Sequence, residues 1–153
     1  MADYLFNGLK LTNEGKKFEA ELRKLMQSEI HVGFQSGEDH YEDGADLAEI
    51  AAYNEYGTSD TPARPFMKQS FENHEAELRA VCQQANNVIA SGGTAEEACK
   101  KIGVVAVGLI QQEIVDGSFE PNAESTIRKK GSDKPLIDTG FMRQSVKYVV
   151  KKG

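Results

Sequence analysis

The sequence predicts a single α+β domain. Two long stretches carry apolar residues at helical spacing, and two short stretches near opposite ends alternate apolar and polar residues as strands do. The length of 153 residues suits one core. Hydrophobic residues make up 39% and charged residues 27%, which fits a globular chain rather than a disordered one.

The elements follow in order. Thr12 is placed as an N-cap, after which Phe18, Leu22, Leu25 and Met26 fall on one helical face. Residues 1–28 thus form an N-terminal helical segment. Ile30, Val32 and Phe34 then alternate with His31, Gly33 and Gln35, which predicts a half-buried strand. Ser36 to Asp46 is an acidic, glycine-bearing loop or hairpin tip. Asp46 with Glu49 has the spacing of a capping box, opening a short helix with Leu47, Ile50 and Ala51 inward and Gly57 as its left-handed cap.

Beyond the turn-rich stretch to Pro65, one continuous helix is expected, with Phe66, Ser70, His74, Leu78, Val81, Ala85 and Val88 or Ile89 as its stripe. Gly92-Gly93 breaks it. Thr94 and Glu97 form a second capping box, and the helix carrying Ala98, Ile102, Val105, Ala106, Leu109 and Glu113 is apolar nearly all round, so the most buried element is expected there. Gly103 and Gly108 lower its helix propensity and point to close approach of another helix. Residues 117–135 read as a flexible loop, and Val146, Tyr148 and Val150 as a final strand.

Charge is divided unevenly. The net charge is −6, which argues against a globally basic nucleic-acid binder. Met1 to Thr126 holds 10 basic and 22 acidic residues; Ile127 to Gly153 holds 8 basic and 2 acidic ones. Such a division suits head-to-tail association, the basic end of one copy meeting the acidic body of the next, and equally a solvated terminal segment whose charge aids solubility. A phosphate-binding stripe is a third reading, though without the aromatic residues of a single-strand binder. The longest apolar run, Ile102 to Ile110, has nine residues against the ~20 that a membrane span needs. With no signal-like N-terminus, the expectation is synthesis in the cytoplasm and no membrane partner. Cys82 and Cys99 are too few for a disulfide framework and read as buried thiols.

Catalytic and metal-binding constellations are missing from the sequence. It contains no phosphate-binding glycine loop, no HExxH and no nucleophile elbow. Asp39 to Gly44 begins like a calcium loop, but Tyr41 and Ile50 stand at the third and twelfth positions, where such a loop needs oxygen ligands. No enzyme activity, metal or cofactor is expected.

Two segments stand out. Asn54-Glu55-Tyr56-Gly57-Thr58 leads to Pro62-Ala63-Arg64-Pro65-Phe66-Met67, a helix stop, a stiff extended stretch and a helix start with an aromatic anchor. Pro135-Leu136-Ile137-Asp138-Thr139-Gly140 followed by Phe141-Met142-Arg143-Gln144-Ser145-Val146 reads as a compact corner before the last strand, with Asp138 or Thr139 bonding nearby backbone and Gly140 turning. With this pair of motifs, in this order, the chain from about Ile30 to Val150 resembles the small neck and tail-completion proteins of tailed bacteriophages and prophages. Phe119-Glu120-Pro121-Asn122, ahead of Ser125 to Lys130, stands where that family often carries an aromatic-Pro-Pro-Leu stretch.

The resemblance implies an α+β fold with two long helices packed on a curved, mainly antiparallel β-sheet. It implies a structural role in the head–tail connection or in tail completion, as a ring around the DNA channel. The implied partners are head-connector and tail proteins and further copies of the chain, with DNA passing through unbound by sequence. The implied location is the host cytoplasm during assembly and then the virion. Candidate contact residues are Tyr56, Gly57, Arg64, Pro65, Phe66, Arg128, Lys129, Lys130, Asp138, Thr139, Gly140 and Arg143. The alternatives are a DNA-binding module built on Arg128, Lys129, Lys130 and Lys134, or a small hydrolase using the acidic loop with His40.

Overall fold

The structure, a computed structural model, describes residues 10–41, 43–117 and 140–152. Six helices and two strands lie within them: α1 (Asn13–Met26), β1 (Ser28–Gly33), α2 (Leu47–Tyr56), α3 (Phe66–Asn73), α4 (Glu75–Ala90), α5 (Ala95–Asp116), α6 (Phe141–Gln144) and β2 (Lys147–Lys152). The mixed α and β character expected from periodicity holds, in one compact domain. The sheet among the described residues is a two-stranded antiparallel ribbon, not the broader curved sheet that the resemblance implies. In its register Glu29 faces Lys151, Ile30 faces Val150 and Val32 faces Tyr148. The flexible loop expected over 117–135 and the N-terminal nine residues lie outside the described residues, Gly117 excepted.

Helix α5 is the axis of the fold. Its 22 residues touch α1, α3, α4, α6 and both strands. Ala98, Cys99, Gly103, Ala106, Ile110, Glu113 and Ile114 are among its buried residues, as expected of its apolar middle. Two cores lie along it. Phe66, Leu47, Ala51, Ile110, Ile114, Met142 and Val146 form the larger, and Ala85, Ile89 and Ala98 form the second with Phe18, Leu25 and Ile102 against them.

The helix starts sit where the caps predict. The hydroxyl of Thr12 accepts from Gly15 N–H, Asp46 from Ala48 N–H and Thr94 from Glu97 N–H. The Asp46–Glu49 spacing does not become a capping box: Asp46 accepts from Ala48 N–H, not Glu49 N–H, and the Glu49 carboxylate accepts the Tyr53 hydroxyl.

Several expectations are corrected. The stripe from Phe66 to Ile89 spans two helices, broken at His74, whose backbone (φ −121°, ψ 27°) leaves the helical region. Gly57 has positive φ but extended ψ (76°, 172°), so it ends α2 without the left-handed cap geometry. The neighbour that Gly103 admits is no helix but the Tyr148 ring of β2, and a Cβ at Gly108 would meet nothing within 4 Å. Cys99 is buried as expected, whereas Cys82 is exposed on α4. Met26 turns outward at the end of α1.

Candidate functional site

The first motif forms a clamp between α2 and α3. Pro65, at the N-cap of α3, has no side chain able to cap the helix. Glu55, from the last turn of α2, does so instead: its carboxylate accepts from Met67 N–H at 2.9 Å and Lys68 N–H at 3.1 Å. Arg64 N–H donates to the Asn54 carbonyl at 2.6 Å, and the Asn54 amide donates to the Ile50 carbonyl at 3.0 Å. The Thr58 hydroxyl accepts from Asp60 and Thr61 N–H. A Cβ at Gly57 would lie 2.8 Å from Ala63 N, and its φ is positive, so only glycine lets the returning chain pass so close.

Asn54, Glu55, Gly57, Thr58 and the Arg64 backbone thus each have a structural task. Phe66 is wholly buried and Arg64 is 8% exposed, so neither is a surface group of the single chain. Tyr56, between the capping Glu55 and the tightly approached Gly57, is 82% exposed. With Tyr53, also exposed, it leaves an aromatic edge on α2. The bond to Glu49 pushes the Tyr53 hydroxyl's pKa up.

The second motif meets the first through the larger core. Met142 and Val146 share that core with Phe66, and Phe141 packs on it and lies edge-on to Tyr41, ring centroids 5.1 Å apart. Gly140 adopts the left-handed conformation (φ 74°, ψ 1°), the tight turn expected of it. Arg143 is exposed, and its carbonyl accepts from the Gln111 side chain at 3.1 Å. Arg128, Lys129, Lys130, Asp138 and Thr139 lie outside the described residues. Of the basic end that is described, Lys147 bonds Asp39 at 3.0 Å and lies 3.6 Å from Glu38, which raises its pKa, while Lys151 and Lys152 are exposed.

The acidic loop is organised by its own carboxylates. Asp46 accepts from Gly37 N–H as well as Ala48 N–H, and Asp43 from Ala45 N–H. His40, the hydrolase candidate, is exposed and forms an isolated bridge with Asp46. Among the described residues no group of three or more His, Cys, Asp or Glu could hold a metal ion.

The sequence reading missed a polar cluster behind α3. Glu113 is 5% exposed; one carboxylate oxygen accepts from the Asn73 amide at 3.0 Å and the other lies 3.3 Å from His74 Nε2. Ser70 Oγ and His74 Nδ1 are buried and make no hydrogen bond among the described residues, Nδ1 lying 3.5 Å from a Glu77 carboxylate oxygen, so no nucleophile–base bond joins them. The one signal was that Ser70, His74 and Glu113 all stood at stripe positions otherwise held by apolar residues.

Comparison with known proteins finds no matching family model, no similar curated protein and no similar solved structure. No helix among the described residues is long and apolar enough to cross a membrane.

Proposed function

We propose that the chain is a structural subunit of a tailed phage or prophage, working in the head–tail connection or in tail completion as a ring around the DNA channel, without enzymatic activity or cofactor. The observation that carries this reading is the ordered pair of motifs, NEYGT…PARPFM and PLIDTGFMRQSV. Their buried residues Phe66, Met142 and Val146 meet in one core while Tyr56 and Arg143 remain on the surface. A tyrosine left on solvent between a helix-capping glutamate and a tightly approached glycine suits a protein that presents that turn to a neighbour. The same reading expects the β1–β2 ribbon to belong to a larger curved antiparallel sheet under the long helices. An acidic body suits a DNA conduit, because a like-charged wall lets the duplex slide without sticking.

Deletion of the gene in its parent phage or prophage, with electron microscopy of the induced lysate, tests the proposal. DNA-filled heads beside separate tails support a joining role, and overlong or misshapen tails support one in tail completion. Normal infectious particles overturn both.

A further inference from the structure

The β1–β2 ribbon has two outer edges. Among the described residues, neither strand makes a backbone hydrogen bond to anything but the other. Such an edge is a template for a further strand, and a two-stranded ribbon gains stability from one.

The edge of β2 runs beside a part of α5 that the described residues leave uncovered. Val104 is 54% exposed, and Gly108, one turn on, is exposed with open space where a Cβ would stand. A glycine in a helix interior costs about 1 kcal/mol relative to alanine, and nothing within the described chain requires one here. Val104, Gly108 and Gln111 of α5 form one wall of a trough of about 600 Å³ whose other wall is Val146 and Tyr148. A strand laid along β2 would fill this trough, and the missing side chain at Gly108 would let its backbone approach the helix.

We propose that the outer edge of β2 takes the outer edge of β1 from a second copy of this chain, head to tail. The proposal rests on the ring reading above and names its interface. Charge selects the pairing: β2 (KYVVKK) carries three lysines and no acid, whereas β1 (SEIHVG) carries a glutamate and no lysine. Two β2 edges brought together would set lysine against lysine. In the register that the chain already uses, the incoming Glu29 stands opposite Lys151, and the incoming Ile30 and Val32 stand opposite Val150 and Tyr148, on the face that looks onto α5. Because the two edges differ, each added copy leaves another β2 edge open, and the series closes where the accumulated rotation returns to its start.

Gly108→Arg tests this in the full chain, because in a single copy the new side chain enters open space and in the assembly it occupies the trough. Sedimentation velocity over rising concentration, with hydrogen exchange, is the readout. The wild type is expected to associate with slowed exchange along both strands. Gly108→Arg is expected to melt no lower than the wild type, its helix propensity being better, and to need at least ~10-fold more protein to associate, a tenfold shift being about 1.4 kcal/mol. Association of Gly108→Arg at the wild-type concentration overturns the interface and leaves the ring reading standing. A wild type that stops at a dimer overturns the head-to-tail pairing. A wild type that stays a monomer throughout, its β2 amides already protected, overturns the interface because the chain covers its own edge; imaging of the deletion lysate then decides the phage role separately.

Discussion

Glu55 caps a helix to which it does not belong. From the end of α2 it holds the N–H groups of Met67 and Lys68, the first turn of α3, across a proline-bounded loop. The two ends of the loop between them are thereby fixed to each other, and inside it Ala63 passes close over Gly57. Glu55→Ala should cost about 1 kcal/mol in urea unfolding, the usual worth of a helix cap, and Glu55→Gln less, since an amide oxygen remains to accept. Equal losses for the two would mean that charge at the α3 N-terminus, and not the hydrogen bonds, does the work.

The two glycines inside α5 should answer alanine in opposite directions. A Cβ at Gly103 would overlap the Tyr148 ring, so the strand must shift, and overpacking of this kind costs roughly 1–3 kcal/mol. At Gly108 the same Cβ meets nothing, and the gain in helix propensity should stabilise the chain by up to about 1 kcal/mol. Thermal melts of the two variants separate the cases; two destabilised variants would mean that the uncovered face of α5 is not open.

What was legible in the sequence was what is local. Thr12, Asp46 and Thr94 bond backbone two or three residues on, so their type and position announce the helix starts. The break at His74 was not legible, because the apolar spacing from Phe66 through Ser70 to Val81 is the same whether or not one residue between them leaves the helix. Gly103 was read as a helix contact because the sequence marks a close approach without naming what approaches; Tyr148 lies 45 residues away. Phe66, expected both as an aromatic anchor and as a candidate contact, is wholly buried in the single chain and serves as the anchor. The burial of Arg64 and Glu113 depends on how α2, α3 and α5 come together, which no short window contains.

Glu21 ties stability to pH. Its carboxylate accepts Ala95 N–H at 2.8 Å at the start of α5, and this bond, followed by Lys24, holds its pKa below the ordinary 4.5. A carboxyl whose folded pKa is depressed contributes stability that is fully present above its unfolded pKa and is lost as pH falls through the folded value. The melting temperature of the wild type should therefore drop below about pH 4.5 more steeply than that of Glu21→Gln, which has no charge to lose. Parallel melting curves for the two from neutral pH down would show that Glu21 is not linked to folding.

Tyr56 separates folding from assembly. Its neighbours on either side are fixed by the clamp, Glu55 as a cap and Gly57 by the passing chain, while its own ring is 82% exposed. A substitution there should move stability by no more than about 0.5 kcal/mol. If the ring is an anchor for a neighbouring subunit, truncation removes a contact of the hot-spot kind, at least ~2 kcal/mol or roughly 30-fold in affinity. Tyr56→Ala supplied to a deletion phage should then accumulate as folded protein with the wild-type melting temperature, yet yield at least ~10-fold fewer infectious particles, with heads and tails unjoined. Wild-type titre from Tyr56→Ala would remove the α2 edge from the contact surface. A lowered melting temperature would instead make the tyrosine part of the clamp, and the exposed ring would no longer argue for a partner at that turn.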